Sequence, residues 1–211
     1  MELKDYQKRA IVHMLTHKGM IAAFDTGTGK TLTAVTTAAC ILHVSAFLGV
    51  PVKVIVITPK SLKENFKKEM EKYGTPSYDK RYEFYTYDEF RNRYNAKKIQ
   101  CSRSFLIIDE AHNLRTDYRD IFKPVHMAKK PLFATGGKKT KTTNSRSEVS
   151  IKCASDAWKV LLLTATPIYN DTSDIVNLVS MVKGLYPPLR YDPTSLDVRS
   201  FGKFFKDTIL F

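Results

Sequence analysis

The stretch Phe24-Asp25-Thr26-Gly27-Thr28-Gly29-Lys30-Thr31 decides how this chain is read. It follows a short apolar run, Met20 to Asp25, that predicts a β-strand, and it opens a run from Lys30 to Leu48 that predicts a helix. A glycine-rich turn between strand and helix lets backbone N–H groups approach a phosphate, and the helix N-terminus adds partial positive charge. In that frame Thr26, Gly27, Thr28 and Gly29 form the cradle, Lys30 reaches the outer phosphates of ATP, and the Thr31 hydroxyl helps to hold Mg²⁺. The general pattern G-x-x-x-x-G-K-[ST] has glycine where this chain has Phe24, so the match rests on the Gly27-x-Gly29-Lys30-Thr31 core.

A second element lies further along, at Phe105-Leu106-Ile107-Ile108-Asp109-Glu110-Ala111-His112. An apolar strand there delivers two acids to its C-terminal end, where ligands sit in open α/β sheets. Asp109 is placed to hold Mg²⁺ and Glu110 to polarise an attacking water, so Glu110, Asp109 and Lys30 are the catalytic candidates. A third element, Leu161-Leu162-Leu163-Thr164-Ala165-Thr166-Pro167, ends another apolar strand in small hydroxyl residues. If that strand lies beside the one carrying Asp109, Thr164 and Thr166 can exchange hydrogen bonds with His112 and couple the phosphate state to the rest of the sheet.

Outward from these elements, short β-rich runs alternate with helical ones, the pattern of an α/β fold with a mainly parallel central sheet. Strands are expected at Met20 to Asp25, Val52 to Thr58, Tyr82 to Tyr87, Ser104 to Asp109 and Lys159 to Thr164, and helices at Asp5 to His17, Lys30 to Leu48, Ser61 to Tyr73 and Asp174 to Lys183. Strands apolar on both faces require cover on both faces, hence three layers. Residues 134–147 carry four basic residues, no acidic ones and no large apolar side chain, which predicts a basic surface insertion. After Gly184 the chain turns Pro-rich and then aromatic, and it ends on Ile209-Leu210-Phe211, as a chain that continues would. The division expected is a nucleotide-binding domain over 1–183 and a linker over 184–211.

The 211 residues carry 34 Lys+Arg against 21 Asp+Glu, a net charge of +13, on a composition that is 43% hydrophobic. That excludes whole-chain disorder and places surplus positive charge on a folded body, which attracts polyanions. No Asp, Glu, Lys or Arg interrupts the stretch between Lys30 and Lys53, but its Thr, His and Ser content, with Gly49 and Pro51 at its end, predicts a buried helix rather than a bilayer span. No membrane partner is expected. The three cysteines, Cys40, Cys101 and Cys153, show no pairing pattern and are expected to be packing residues in a reducing compartment, cytoplasmic or nuclear. His13 and His17 have a zinc-compatible spacing without the intervening Glu of H-E-x-x-H, so no metal is assigned to them.

Taken together, Gly27-Thr28-Gly29-Lys30-Thr31, Asp109-Glu110-Ala111-His112 and Thr164-Ala165-Thr166-Pro167 resemble motifs I, II (DEAH type) and III of the first RecA-like lobe of superfamily 2 helicases and translocases. The resemblance extends to Leu3-Lys4-Asp5-Tyr6-Gln7, similar to the segment whose glutamine reads adenine, and to Ile57-Thr58-Pro59-Lys60-Ser61-Leu62, similar to motif Ia. It implies that Gln7 contacts the base and that Pro59, Lys60 and Ser61 touch a nucleic-acid backbone. Thr86-Tyr87-Asp88-Glu89-Phe90 is similar to an element near motif Ib. The run Thr166-Pro167-Ile168-Tyr169-Asn170, followed by Asp174 to Val179, resembles the Swi2/Snf2 group, and particularly the nucleoside triphosphatase I type helicases of large DNA viruses, which act in transcription.

What the resemblance implies is a RecA-like P-loop NTPase lobe whose parent binds ATP and Mg²⁺, hydrolyses ATP, and moves on nucleic acid, DNA or RNA with DNA the favoured partner, mainly through phosphates. A viral parent would add the virion to the expected locations. The family's second RecA-like lobe, with its arginine finger, has no counterpart in these residues, so this piece alone is expected to hydrolyse ATP weakly; such a finger is worth about 10³ to 10⁵ in rate. The competing reading is a basic nucleic-acid-binding adaptor with a vestigial nucleotide site.

Overall fold

The apolar runs singled out above become adjacent strands of one sheet in the computed structural model, which describes residues 2–25, 27–76, 78–114, 145–166, 174–188 and 205–210. The elements are α1 (Asp5–Thr16), β1 (Gly19–Ala23), α2 (Lys30–Phe47), β2 (Lys53–Ile57), α3 (Lys63–Lys72), β3 (Tyr82–Tyr85), α4 (Tyr87–Asn95), β4 (Ser104–Ile108), a 3₁₀ turn (Ala111–Leu114), α5 (Arg146–Asp156), β5 (Lys159–Thr164), α6 (Asp174–Lys183) and β6 (Ile209–Leu210). The strands order as β3-β2-β4-β5-β1-β6, and every pairing is parallel.

Side-chain alternation along the strands builds the three layers. Phe105 and Ile107 of β4 face one core with Ala34, Val35 and Ile41 of α2 and Phe66 and Met70 of α3; Leu106 and Ile108 face the other with Phe90 of α4, Ile151 of α5 and Leu178 of α6. The central strands are apolar on both faces over most of their length because each face is covered by helices. The fold is the expected RecA-like α/β lobe. Helix α2 is long and apolar enough to cross a bilayer by length and composition, and here it packs on the sheet through Thr33, Ala34, Val35, Thr37, Ala38, Ile41, Leu42 and Ser45.

Three features depart from expectation. Cys101 and Cys153 form a disulfide with Cα atoms 5.2 Å apart, which corrects the reading of all three cysteines as unpaired; Cys40 alone is free. The loop before β4 and helix α5 are brought together by α4, a tertiary proximity that the 52-residue separation hides. The absence of a pairing pattern therefore gives no support to a reducing compartment. The basic insertion ends earlier than 147: Ser145 caps α5 by accepting from the Glu148 amide, Ser147 is buried, and Arg146 pairs with Asp88, while 134–144 lie outside the described residues. In the stretch expected to be a linker, β6 pairs with β1 at Ile21 and Ala22.

Two lysines join the layers by capping helix ends. Lys159 Nζ donates to the Leu15 and His17 carbonyls at the end of α1, and Lys18 Nζ donates to the Ser155 and Ala157 carbonyls at the end of α5. Cations at helix C-termini complement the dipole there. Both lysines sit below their ordinary pKa because burial disfavours the charged form.

Candidate nucleotide-binding site

Register decides which side chains meet. Ile57 of β2 pairs with Ile108 of β4, so the next residues, Thr58 and Asp109, emerge together. The Thr58 hydroxyl donates to Asp109 Oδ2 at 3.0 Å, and the pair is buried. Ala23 of β1 pairs with Thr164 of β5, and the Phe24 amide donates to the Thr164 carbonyl at 3.1 Å, so the glycine-rich loop leaves the sheet beside β5. The sites at the ends of β1 and β4 thus face each other across β5.

Between them lies a cavity of about 290 Å³ lined by Gly27, Gly29, Lys30, Thr31, Asp109 and Glu110, together with Asn65, Phe66 and Glu69 of α3 and Tyr73, which caps that helix. Lys30 Nζ stands 3.7 Å from Glu110 Oε1 and donates to the Phe24 carbonyl at 3.3 Å. Asp109 is held above the ordinary carboxylate range, first by burial and secondarily by Glu110, against the opposing pull of Thr58 and Lys30. A carboxylate desolvated in this way is one that a cation would relieve.

The loop conformation requires its glycines. Gly27 and Gly29 sit at φ +79° and +88°, and a Cβ on Gly29 would stand 2.7 Å from Gln7 Nε2. Gly29 is the N-cap of α2 and no side chain caps that end, leaving the first-turn amides directed at the cavity. The loop is tied to α1: the Tyr6 hydroxyl and Gln7 Nε2 both donate to the Thr28 carbonyl, at 2.5 and 3.4 Å, and Gln7 Oε1 accepts from the Lys4 amide at 2.9 Å. Thr28 closes the turn by donating to the Asp25 carbonyl. Donors, acid and hydroxyl fit a magnesium nucleotide: Gly27, Gly29, Lys30 and Thr31 would hold the phosphates, and Asp109 with Thr31 the metal. Thr26 lies outside the described residues.

Glu110 adopts φ +52°, a left-handed conformation that costs a non-glycine residue about 1–3 kcal/mol. This kink turns the chain from β4 into the 3₁₀ turn and swings the Glu110 carboxylate towards Lys30 and His112. His112 Nδ1 lies 3.2 Å from Glu110 Oε2 and 3.4 Å from Thr164 Oγ1, and Thr164 Oγ1 accepts from the Thr166 amide at 3.2 Å. Glu110, His112, Thr164 and Thr166 therefore form one connected group, whereas Pro167 lies outside the described residues. Pro59, Lys60 and Ser61 lead from β2 to α3 at the same end of the sheet, with Lys60 and Ser61 exposed.

Sequence reasoning missed several residues that build this site. Thr58 is signalled only as a polar residue ending an apolar strand. Tyr6, beside Gln7, carries no signal in the sequence of its bond to the Thr28 carbonyl. Tyr87 and Asn113 engage the Asp109-Glu110 backbone, and nothing in their spacing announces it.

The model of the SNF2-related domain matches residues 6–186. Two Acanthamoeba polyphaga mimivirus proteins named as ATP-dependent RNA helicases are similar: one is 31% identical over 86% of this chain and 33% of its own length, the other 23% identical over 89% and 34%. Among solved structures, the Sulfolobus solfataricus SWI2/SNF2 ATPase core in complex with dsDNA superposes with a TM-score of 0.54 at 19% identity, over 96% of this chain and 38% of that one. The Pyrococcus furiosus Hef helicase domain superposes with a TM-score of 0.58 at 17% identity, over 85% and 36%. The chain spans about a third of the length of the curated relatives it matches. By the extent of the family match and the architecture of its sheet and phosphate loop, this chain belongs to the SNF2-related domain family, as a first RecA-like lobe of the superfamily 2 type.

Proposed function

We propose that this chain is the nucleotide-binding lobe of an ATP-driven superfamily 2 motor that moves along nucleic acid, acting in viral transcription or genome processing. The observation that carries the reading is the convergence of Lys30, Asp109 and Glu110 on one cavity, with Lys30 and Glu110 3.7 Å apart. A bound Mg²⁺ would neutralise phosphate charge as it develops. Lys30 and the first-turn amides of α2 bind and orient the phosphates; Asp109 and Thr31 would hold the metal. Glu110 accepts a proton from the attacking water, and His112 holds its carboxylate in place from the other side. The contact from His112 to Thr164 gives the phosphate state a route into β5.

A net charge of +13 and the exposed Lys60 beside the site support contact with nucleic-acid phosphates. The archaeal structure bound to duplex DNA supports DNA as the track, while the names of the mimivirus relatives point to RNA. Arginines of a second lobe would complete the site. The test is the ATPase rate of the full-length protein with and without DNA, beside Lys30→Ala and Glu110→Gln. A DNA-stimulated rate lost in both variants supports the motor; equal rates in all three leave only a nucleic-acid-binding adaptor.

A further inference from the structure

Helix α4 is held at its first turn more firmly than its length requires. Thr86 caps it by accepting from the Glu89 amide while the Glu89 carboxylate accepts from the Thr86 amide at 2.8 Å, a complete capping box. Arg146 of α5 reaches Asp88 with two hydrogen bonds at 2.8 and 2.5 Å, and Lys63 of α3 pairs with Glu89 at 3.1 Å. The residue fixed by these ties is Tyr87, buried at the first helical position. Its hydroxyl lies 2.6 Å from the Asp109 carbonyl oxygen and 3.0 Å from that of Glu110.

The two carbonyls flank the residue with the left-handed backbone, Glu110. Asn113 adds to the clamp, its Nδ2 and its amide each donating to the Glu110 carbonyl at 3.0 Å. Without a donor at Tyr87, the Asp109 carbonyl loses its tie to α4, and the peptide joining it to Glu110 is held less firmly in the left-handed conformation that sets the Glu110 carboxylate on the Lys30 side of the cavity. We infer that Tyr87 is a positioning residue for Glu110: its hydroxyl clamps the Asp109-Glu110 peptide in the strained conformation that aims the carboxylate at the reacting water. This rests on the reading of Glu110 as the proton acceptor, and it assigns the α4 tyrosine a part in turnover rather than in nucleotide or nucleic-acid binding.

The experiment measures steady-state hydrolysis of Mg-ATP by the full-length protein with saturating duplex DNA. Tyr87→Phe keeps the ring in its packing and removes only the hydroxyl. It is expected to lower kcat by about tenfold to a hundredfold, since misplacement of a catalytic group by about 1 Å has effects of that size, while KM for ATP stays within about twofold. Asn113→Ala, at an exposed position, is expected to lower kcat in the same direction by less, and gives a second reading should Tyr87→Phe fold poorly. On a Glu110→Gln background Tyr87→Phe is expected to add no further loss, because a residue acting only through Glu110 has nothing left to position. An unchanged kcat in Tyr87→Phe and Asn113→Ala, a rise in KM without a fall in kcat, or losses that multiply on the Glu110→Gln background would each overturn the assignment. Lys30→Ala separates the two layers of the argument: if hydrolysis does not depend on Lys30, the nucleotide-site reading itself fails and this one with it.

Discussion

Lys30 and Glu110 pair across the cavity at 3.7 Å, with side chains retaining 10% and 22% of their exposure, so the cation meant for a phosphate is partly neutralised by the residue meant for the water. An incoming phosphate must compete for Lys30 with the Glu110 carboxylate. Glu110→Gln therefore removes a competitor as well as a base. It is expected to bind fluorescent ATP analogues with Mg²⁺ at least as tightly as the unsubstituted protein while turnover falls by about 10² to 10⁴. Lys30→Ala is expected to lose about a hundredfold in both binding and turnover, because the charge that holds the phosphates in the ground state is gone and the greater charge developing in the transition state loses still more. Equilibrium titration checks the contrast, and weaker binding by Glu110→Gln than by the unsubstituted protein would defeat it.

Asp109 carries the opposite lesson, a site residue whose charge works against folding. Its folded-state pKa is raised by burial, so folding favours the protonated acid. Any stabilisation from that shift is fully present below the ordinary aspartate value, about 3.9, and is lost as pH rises through the folded value; at neutral pH the ionised, metal-free group is a liability. Asp109→Asn keeps an acceptor for the Thr58 hydroxyl and removes the charge. The nucleotide-free variant is expected to melt at a higher temperature than the unsubstituted protein at pH 7, with the difference closing towards pH 4, and to lose the Mg²⁺ dependence of nucleotide binding. Thermal melts across that pH range decide it, and a lower melting temperature at pH 7 would count against the desolvation account.

The contrast between these residues and the rest of the site explains what could be read from the sequence. Lys30, Asp109 and Glu110 announce themselves because a glycine turn and an acidic pair at the end of an apolar strand have few other uses, and the two-faced apolarity of β2, β4 and β5 fixes the three layers. Helices α4 and α5 were overlooked although each opens on a readable signal, Thr86 with Glu89 and Ser145 with Glu148. Their sequences are polar, and in α5 the signal sits at the end of the basic run. Tyr87, Thr58 and the Cys101–Cys153 bond were illegible for a different reason: each depends on a partner brought close by strand order and helix packing rather than by spacing.

The disulfide closes a segment of the chain that contains β4 and the site's acidic pair. On the chain-entropy account, a bond across 52 residues is worth about 4 kcal/mol, and at this chain length each kcal/mol moves the melting temperature by about 2–4 °C. Reduction of the purified protein is expected to lower its melting temperature by about 8–16 °C. A Cys101→Ala, Cys153→Ala double variant should melt at the reduced value with or without reductant, whereas Cys40→Ala should keep the full response. A melting temperature indifferent to reductant in the unsubstituted protein would sink the prediction.

Gly19 opens the strand that leads to the phosphate loop, and what fixes its identity is space rather than φ. A Cβ there would stand 2.6 Å from the Val182 carbonyl oxygen and 2.8 Å from both the Val160 carbonyl oxygen and Val182 Cα. All three atoms are backbone, of β5 and of the last turn of α6, so no side chain can rotate away; strand or helix must shift. Overpacking of this kind destabilises by about 1–3 kcal/mol. Gly49 is the opposite case, with φ +67° and nothing within 4 Å of its Cβ. There alanine meets only the left-handed backbone and the loss stays near 1 kcal/mol. Gly19→Ala is accordingly expected to lower the urea midpoint more than Gly49→Ala. It should also weaken nucleotide binding, since β1 cannot move without carrying the loop at its end; a Gly19→Ala protein as stable as Gly49→Ala would show that the close approach between β1 and α6 is not maintained in solution.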